Sequence, residues 1–333
     1  MSLFTPRFQV LSDLHLEAPI SEPLYEAFPL HVKGSHIFLL GNIGQVLHDE
    51  LFHFLRVLLS EMRGSRFFYV LGNNEPYRTT LRDAVARLRA FEEEARHQYG
   101  GRFIFLNRDR FDVGPNITIL GCTLWSDVFP HQASEVSARI TDLDEVKGIH
   151  DWSLTNHLEE HRKDRDWLNS QVRLLEEKEP QRQIIIATHH SPTFDPRAVE
   201  PVHQDSSVSS AFATDMSEDI CWKSAAVKLW MFGHTHYNCG FRDEETGKLV
   251  VTNQRDYGCA DVREVIMEQD AKGFSIITPS QATENPKPRK PRPEAAKPKP
   301  PAKLRRSLFD RAADRIPGVG RLRVVYSDMT SRS

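Results

Sequence analysis

Five short polar clusters in this 333-residue chain carry side chains that can hold a cation or a phosphate. They are Asp13 and His15 in "SDLHLE", Asn42 in "GNIG", Asn73 and Asn74 in "GNNEPY", His189 and His190 in "THHSP", and His234 and His236 in "GHTHYN". One carboxylate with several imidazoles is a borderline ligand set, suited to Zn, Fe, Mn or Co rather than to Ca. No single pair is specific, but their order along the chain is. If Asp13-x-His15 and His234-x-His236 continue strands, each pair shares one face, because strand side chains alternate.

The elements that must position these clusters are legible as apolar runs. "RFQVL", "HIFLL", "RFFYVL", "QIIIA" and "VKLWMF" each end abruptly in one of the five clusters, and "ITILGCTLW" and "KLVVTNQR" are two more strands with looser ends. Runs of this length and composition predict buried strands. Leu51, Leu55, Leu58, Leu59 and Met62 share one helical face over 48–63, and Leu81, Val85, Leu88 and Phe91 share another over 79–97; a third helix is expected over 154–178. Strands alternating with helices predict an α/β fold. Open α/β sheets place their ligands at the carboxyl ends of the strands, where all five clusters fall.

An apolar fraction of 39% supports a sizeable core. The net charge of −3 hides an asymmetry. Residues 284–333 hold 14 Lys and Arg against 5 Asp and Glu, which leaves 29 against 41 in the body, a balance of −12 there and +9 in the tail. An acidic body argues against a broad nucleic-acid surface. Cys122, Cys221, Cys239 and Cys259 form no CxxC pair and no disulfide-like spacing. No secretory signal and no run of membrane-spanning length is visible, so a cytoplasmic protein without membrane partners is expected. The folded domain is expected over 1–283. The Pro/Lys/Arg-rich tail at 284–333 is expected to be extended, with a short helix possible in "SLFDRAADRIPGVGRL" and an acidic partner or a proline-recognition module as its candidate contact.

"DLH", "GNIGQ", "GNNE", "IIIATHHSP" and "GHTH" together resemble the calcineurin-like metallophosphoesterase superfamily, whose pattern is D-x-H, GDxxD, GNH[DE], a histidine after an apolar strand, and GHxH. The resemblance covers roughly residues 8–257. It implies two β-sheets packed face to face and flanked by helices, a four-layer sandwich with a two-metal site at the strand ends. It also implies hydrolysis of a phosphomono- or diester by metal-activated water, on a small molecule or a phosphoprotein. Carried over by position, one ion would be held by Asp13, His15 and His236, and the other by Asn73, His189 and His234. His189 is preferred to His190 because the ligand in the family it resembles directly follows the Ser or Thr that ends the strand, here Thr188.

Three positions depart from the pattern. Asn42 replaces the carboxylate that bridges the metals, Gln45 replaces the second acid of GDxxD, and Asn74 replaces the catalytic histidine. An amide brings no charge to offset two neighbouring dications. The cofactor expectation is therefore one or two divalent transition-metal ions (Mn, Fe or Zn), with the second site weak. Asn74 can donate to a phosphate oxygen but cannot deliver a proton, a loss worth roughly 10²–10⁴-fold.

Other residues read more plainly. His190 is expected as a supporting or core histidine, and His157 and His161 as part of a solvated helix face in "NHLEEHRKDRD". His31, His48, His53 and His97 show no ligand spacing. Trp125, Tyr237, Arg255 and Tyr257 either wall the pocket or simply pack. Three functions compete: a phosphoesterase impaired at Asn42 and Asn74, an inactive binding or scaffold protein on the same fold, and a mononuclear enzyme of different chemistry on the two-histidine, one-carboxylate set.

Overall fold

The computed structural model of the chain describes residues 5–255, 264–271 and 273–277. The expected boundary near residue 283, the basic tail and Tyr257 lie outside these residues. The strands are β1 (Arg7–Leu11), β2 (His36–Leu40), β3 (Arg66–Val70), β4 (Phe103–Leu106), β5 (Asp109–Val113) and β6 (Ile117–Gly121). They continue as β7 (Gln183–Ala187), β8 (Val227–Phe232), β9 (Gly240–Arg242), β10 (Leu249–Thr252), β11 (Ile266–Asp270) and β12 (Gly273–Ile276). The helices are α1 (Asp49–Glu61), α2 (Leu81–Gln98), α3 (Ala133–Arg139), α4 (Leu154–Lys178) and α5 (Ile220–Lys223).

Two six-stranded mixed sheets form, in the orders β12-β11-β1-β2-β3-β4 and β5-β6-β7-β8-β10-β9. Strands β1 to β4, and β6, β7, β8 and β10, run parallel to their neighbours within each set. Alternation decides which layer each residue enters. Phe38 and Leu40 of β2 meet Ile185 and Ala187 of β7 in a core between the sheets. Ile37 and Leu39 turn outward onto α1 and α2, while Ile184 and Ile186 turn outward onto α4. Helices, sheet, sheet and helices stack as four layers, the sandwich expected from the sequence. The three expected helices form at Asp49–Glu61, Leu81–Gln98 and Leu154–Lys178. Thr80 caps α2 by accepting from the Asp83 amide, and a Ser153/Asn156 capping box starts α4.

One expectation for α4 is overturned. His157 and His161, read as part of a solvated face, are buried at 3% and 1% exposure. The run "ITILGCTLW" leaves its sheet at Gly121, and the following segment needs buried partners for its backbone. The amide of Leu124 donates to Asp164 Oδ2 (2.8 Å), that of Ser126 to His157 Nε2 (3.2 Å), and the ring of His161 meets the Trp125 carbonyl. Arg108 then pairs with Asp164 at 2.6 Å. These three polar side chains of α4 are spent on protein backbone instead of water.

His36 opens β2 in the layer between the sheets, stacked on Phe68 with ring centroids 5.9 Å apart and touching Phe8 at 5.2 Å. Burial, helped by the charge of Arg66, lowers its pKa to about 4. The fold therefore favours the neutral ring. Its stabilisation is complete above the unfolded pKa near 6.5 and is lost as pH falls toward 4. Urea unfolding at pH 7 and pH 4.5 should show a smaller loss in His36→Phe than in wild type. The difference should be on the order of 2–3 kcal/mol, and equal losses in the two proteins would contradict this account.

Candidate metal centre

The candidate residues do not continue their strands, as strand alternation had suggested; they sit in the turns just beyond them. Asp13 and His15 follow β1, Asn42 follows β2, Asn73 and Asn74 follow β3, His189 follows β7, and His234 and His236 follow β8. Asp13, His15, Asn42, His234 and His236 all have left-handed backbone, with φ between 47° and 66°. Such backbone is costly for residues with a Cβ and persists only where surrounding contacts enforce it. These kinks, rather than alternation, turn D-x-H and H-x-H inward together. Glycines make room for the crowding. Gly41 has φ +82°, and a Cβ on Gly233 would lie 2.6 Å from Asp13 Oδ2.

Asp13 is fully buried, and two groups of possible ligands share its carboxylate: Asp13 with His15 and His236, and Asp13 with His189 and His234. His236 Nε2 lies 3.6 Å and His15 Nε2 3.9 Å from Asp13 Oδ1. Residues 223 positions apart in sequence thus meet at one atom. The other oxygen accepts from Ser12 Oγ (2.6 Å) and the His234 amide (2.9 Å). Burial pushes the Asp13 carboxyl up, and the imidazoles of His189, His236 and His15 outweigh it, holding it below the usual carboxylate range.

Around His189 the hydrogen bonds fix every atom. Its Nδ1 lies 2.7 Å from the Leu40 carbonyl, which only an N–H can satisfy, so Nε2 presents a lone pair. Asn73 Nδ2 donates to Asp142 Oδ1 (2.7 Å), which turns Asn73 Oδ1 toward His189 Nε2 at 3.0 Å. Two acceptors face each other, and burial lowers the His189 pKa against the protonation that would reconcile them. His234 Nδ1 is buried without a hydrogen-bond partner. These atoms fit a cation with bonds of about 2.1 Å, whose neighbouring ligands lie about 3 Å or slightly more apart.

Asn42 is oriented against that cation. Its Oδ1 accepts from the Asn74 amide (2.9 Å), so its Nδ2 points inward and donates to Asp13 Oδ1 (3.1 Å) and Asn73 Oδ1 (3.0 Å). A donor thus stands in the middle of the ligand shell. Asn74 is 8% exposed, and its Nδ2 lies 3.2 Å from His15 Nδ1. Gln45 takes no part and is bound by Arg78 instead.

A family model for the calcineurin-like phosphoesterases matches residues 6–238. The chain belongs to that family. Membership places it among the metal-dependent phosphoesterases. It is 26% identical over 229 residues to an uncharacterized protein of Acanthamoeba polyphaga mimivirus, an alignment covering 67% of this chain and 78% of the viral one. The fold resembles the crystal structure of a phosphopantetheinyl hydrolase from Mycobacterium tuberculosis, with a TM-score of 0.51 and 14% identity over 85% of this chain and 99% of that one. A dimetal phosphatase from Danio rerio is a looser match, at TM-score 0.45 and 14% identity over 79% and 92% of the two chains.

Several supporting residues escaped the sequence reading. Glu17 Oε1 lies 3.0 Å from His15 Nδ1 and is buried. Asp142 locks Asn73, from a 3-10 turn (Thr141–Leu143) with no motif around it. Glu75, the last residue of "GNNE", accepts from the amides of Asn42 and Gly72 through Oε2, and from Ile43 N and the Tyr69 hydroxyl through Oε1. Only Glu17 and Glu75 carried a signal, an acid two residues from a candidate ligand. His190 is a core histidine, fully buried between Trp125 and His234. Trp125 packs at 2% exposure, and Arg255 donates to the Leu14 carbonyl. Tyr237 lies partly buried just past His236.

An acid on the far nitrogen of a metal-binding imidazole fixes its tautomer and raises its basicity. Glu17→Gln should therefore weaken Mn²⁺ or Zn²⁺ binding about tenfold in titration calorimetry while leaving the circular dichroism unchanged. Unaltered affinity would remove Glu17 from the site.

Proposed function

We propose that this protein hydrolyses a phosphoester at a centre in which Asp13, His15 and His236 hold the principal divalent cation. Asn73, His189 and His234 form a weaker second position, with Asn42 at the place of the bridging ligand. The observation that carries this reading is the convergence of both histidine groups on the buried Asp13 carboxylate. A bound transition-metal ion supplies Lewis acidity and an acidified water for attack on phosphorus.

The chain's own residues set what remains possible. Asp13 offers the single ligating carboxylate of the proposed centre. Asn74 can donate a hydrogen bond to a phosphate oxygen but has no proton to give a departing alkoxide. Esters with good leaving groups are the substrates this site handles best, whether small molecules or phosphoproteins. A cytosolic setting is supported by cysteines spaced for no disulfide. The basic tail adds an acidic or proline-recognising partner to this reading.

A specific feature favours a second reading, a binding or scaffold protein without turnover. Asn42 ties Asp13 to Asn73 by hydrogen bonds, a link that a carboxylate at position 42 could make only through cations. Metal analysis separates the two. Wild type should carry about one divalent ion per chain and cleave activated aryl phosphates slowly, whereas a metal-free protein that cleaves none is a scaffold.

Asn42→Asp should raise the metal content toward two. Adding Asn74→His should then increase hydrolysis of a phosphomono- or diester panel by about 10²-fold or more. A doubly reverted protein that binds two ions and remains inert would refute the explanation from these two positions.

A further inference from the structure

A second feature of the same region lies one ring away from the metal centre. The chain after β7 runs out through residues 191–213 and returns against α3. The returning end is stapled to the strand exit, where Ser191 N donates to the Phe212 carbonyl (3.1 Å) and Thr214 N to the Ser191 carbonyl (2.9 Å). Gln132, just before α3, accepts through Oε1 from Ser210 N (2.9 Å) and Ser210 Oγ (2.7 Å). Arg139 at the end of α3 donates to Ser207 Oγ (2.9 Å). These ties hold loop and helix apart as two fixed walls around a cavity of about 540 Å³.

The cavity lies beside the site through Phe212 and Thr235. Phe212 lines it, its ring stacked on His234 at 4.8 Å between centroids and 24° between planes. Thr235, between His234 and His236, also lines it. Ile140, Phe194, Val199 and Val208 form the walls. Arg139 and His203 add polar groups to the lining, but the apolar side chains offer a phosphate nothing. A cavity of this size, with rings for stacking, matches an organic group of ordinary ligand dimensions.

We propose that this cavity receives the ester group of the substrate, and that the group is apolar and ring-bearing, which makes the substrate a small aryl or heterocyclic phosphoester. The inference rests on the phosphoesterase reading and adds the class of substrate to it. It also agrees with the loss at Asn74, because aryl and similar leaving groups depart with less need of a proton donor.

The test is a comparison of binding, independent of turnover. The full-length Mn²⁺-loaded chain is titrated calorimetrically with phenylphosphonate and with methylphosphonate, neither of which can be hydrolysed. Phenylphosphonate should bind about tenfold tighter or better, as burial of one ring predicts. Val199→Trp, which fills the cavity from its partly exposed rim, should bring the two affinities within about twofold without changing that of methylphosphonate. Phe194→Ala should narrow the gap by removing a ring from the lining, and it serves if the tryptophan variant does not fold. Equal affinities in wild type, or an unchanged gap in the folded variants, would overturn the cavity assignment and leave the phosphoesterase reading standing. Failure of both phosphonates to bind would overturn both.

Discussion

A fully buried carboxylate at the seam between two sheets is the constraint on which this molecule turns. Removing an ion such as that of Asp13 from water costs several kcal/mol unless partners replace the hydration. Its partners come from different places in the chain. Ser12 is its neighbour after β1, Asn42 belongs to the turn after β2, and the His234 amide follows β8 of the opposite sheet. Ser12 Oγ also contacts the Leu40 carbonyl, and Arg255 N donates to the Ser12 carbonyl. Satisfying one charge therefore fixes where the ends of three strands stand relative to one another. The apolar layer of Phe38, Val70, Ile185 and Met231 presses the sheets together but would tolerate some sliding. The polar knot at its end would not.

The same knot explains how strained backbone survives. Five candidate ligands hold left-handed conformations, each opposed by sterics at its own Cβ. The turns are held by groups that are not ligands themselves. Glu75 accepts the amides of Asn42, Ile43 and Gly72, and Gln254 Oε1 accepts the His236 amide at 2.7 Å. Burial pushes the Glu75 carboxyl up to about 7 while its donors pull the other way. Strain sits in the turns that aim side chains and its compensation sits beside them, so the strands remain regular.

This division also sets what the sequence could reveal. Strands β1, β2, β3, β7 and β8 were legible because their apolar runs stop abruptly at polar residues, and α1 and α2 because Leu and Phe recur at helical spacing. The set Asp13, His15, His189, His234 and His236 was legible because each side chain sits beside its own strand end. Periodicity, however, describes neighbours along one element. It cannot show that α4 will spend His157, His161 and Asp164 on the backbone of residues 124–126, a pairing made by tertiary packing. Nor does anything near Asp142 announce that it sets the amide of Asn73. Alternation also gave the right outcome for D-x-H by the wrong route, since the side chains converge through left-handed turns.

Asn42 shows why one substitution can matter more than the motif around it. Two dications 3.5–4 Å apart repel by roughly 15–20 kcal/mol at an effective dielectric near 20. A bridging carboxylate lies against both and offsets a large part of that. On the proposed assignment Asp13 is the only ligating carboxylate, so one bound dication leaves the cluster at +1 and a second would take it to +3 in a buried place. The amide worsens the balance, because its oxygen is held by the Asn74 amide and its nitrogen donates to Asp13 and Asn73. A second ion must displace the hydrogen bond that already satisfies its ligand Asn73. The first ion meets that amide at Asp13 Oδ1 alone, while the ring nitrogens of His15 and His236 facing the same oxygen stay clear of it. On the proposed assignment, a single replacement of oxygen by nitrogen therefore favours one cation over a pair.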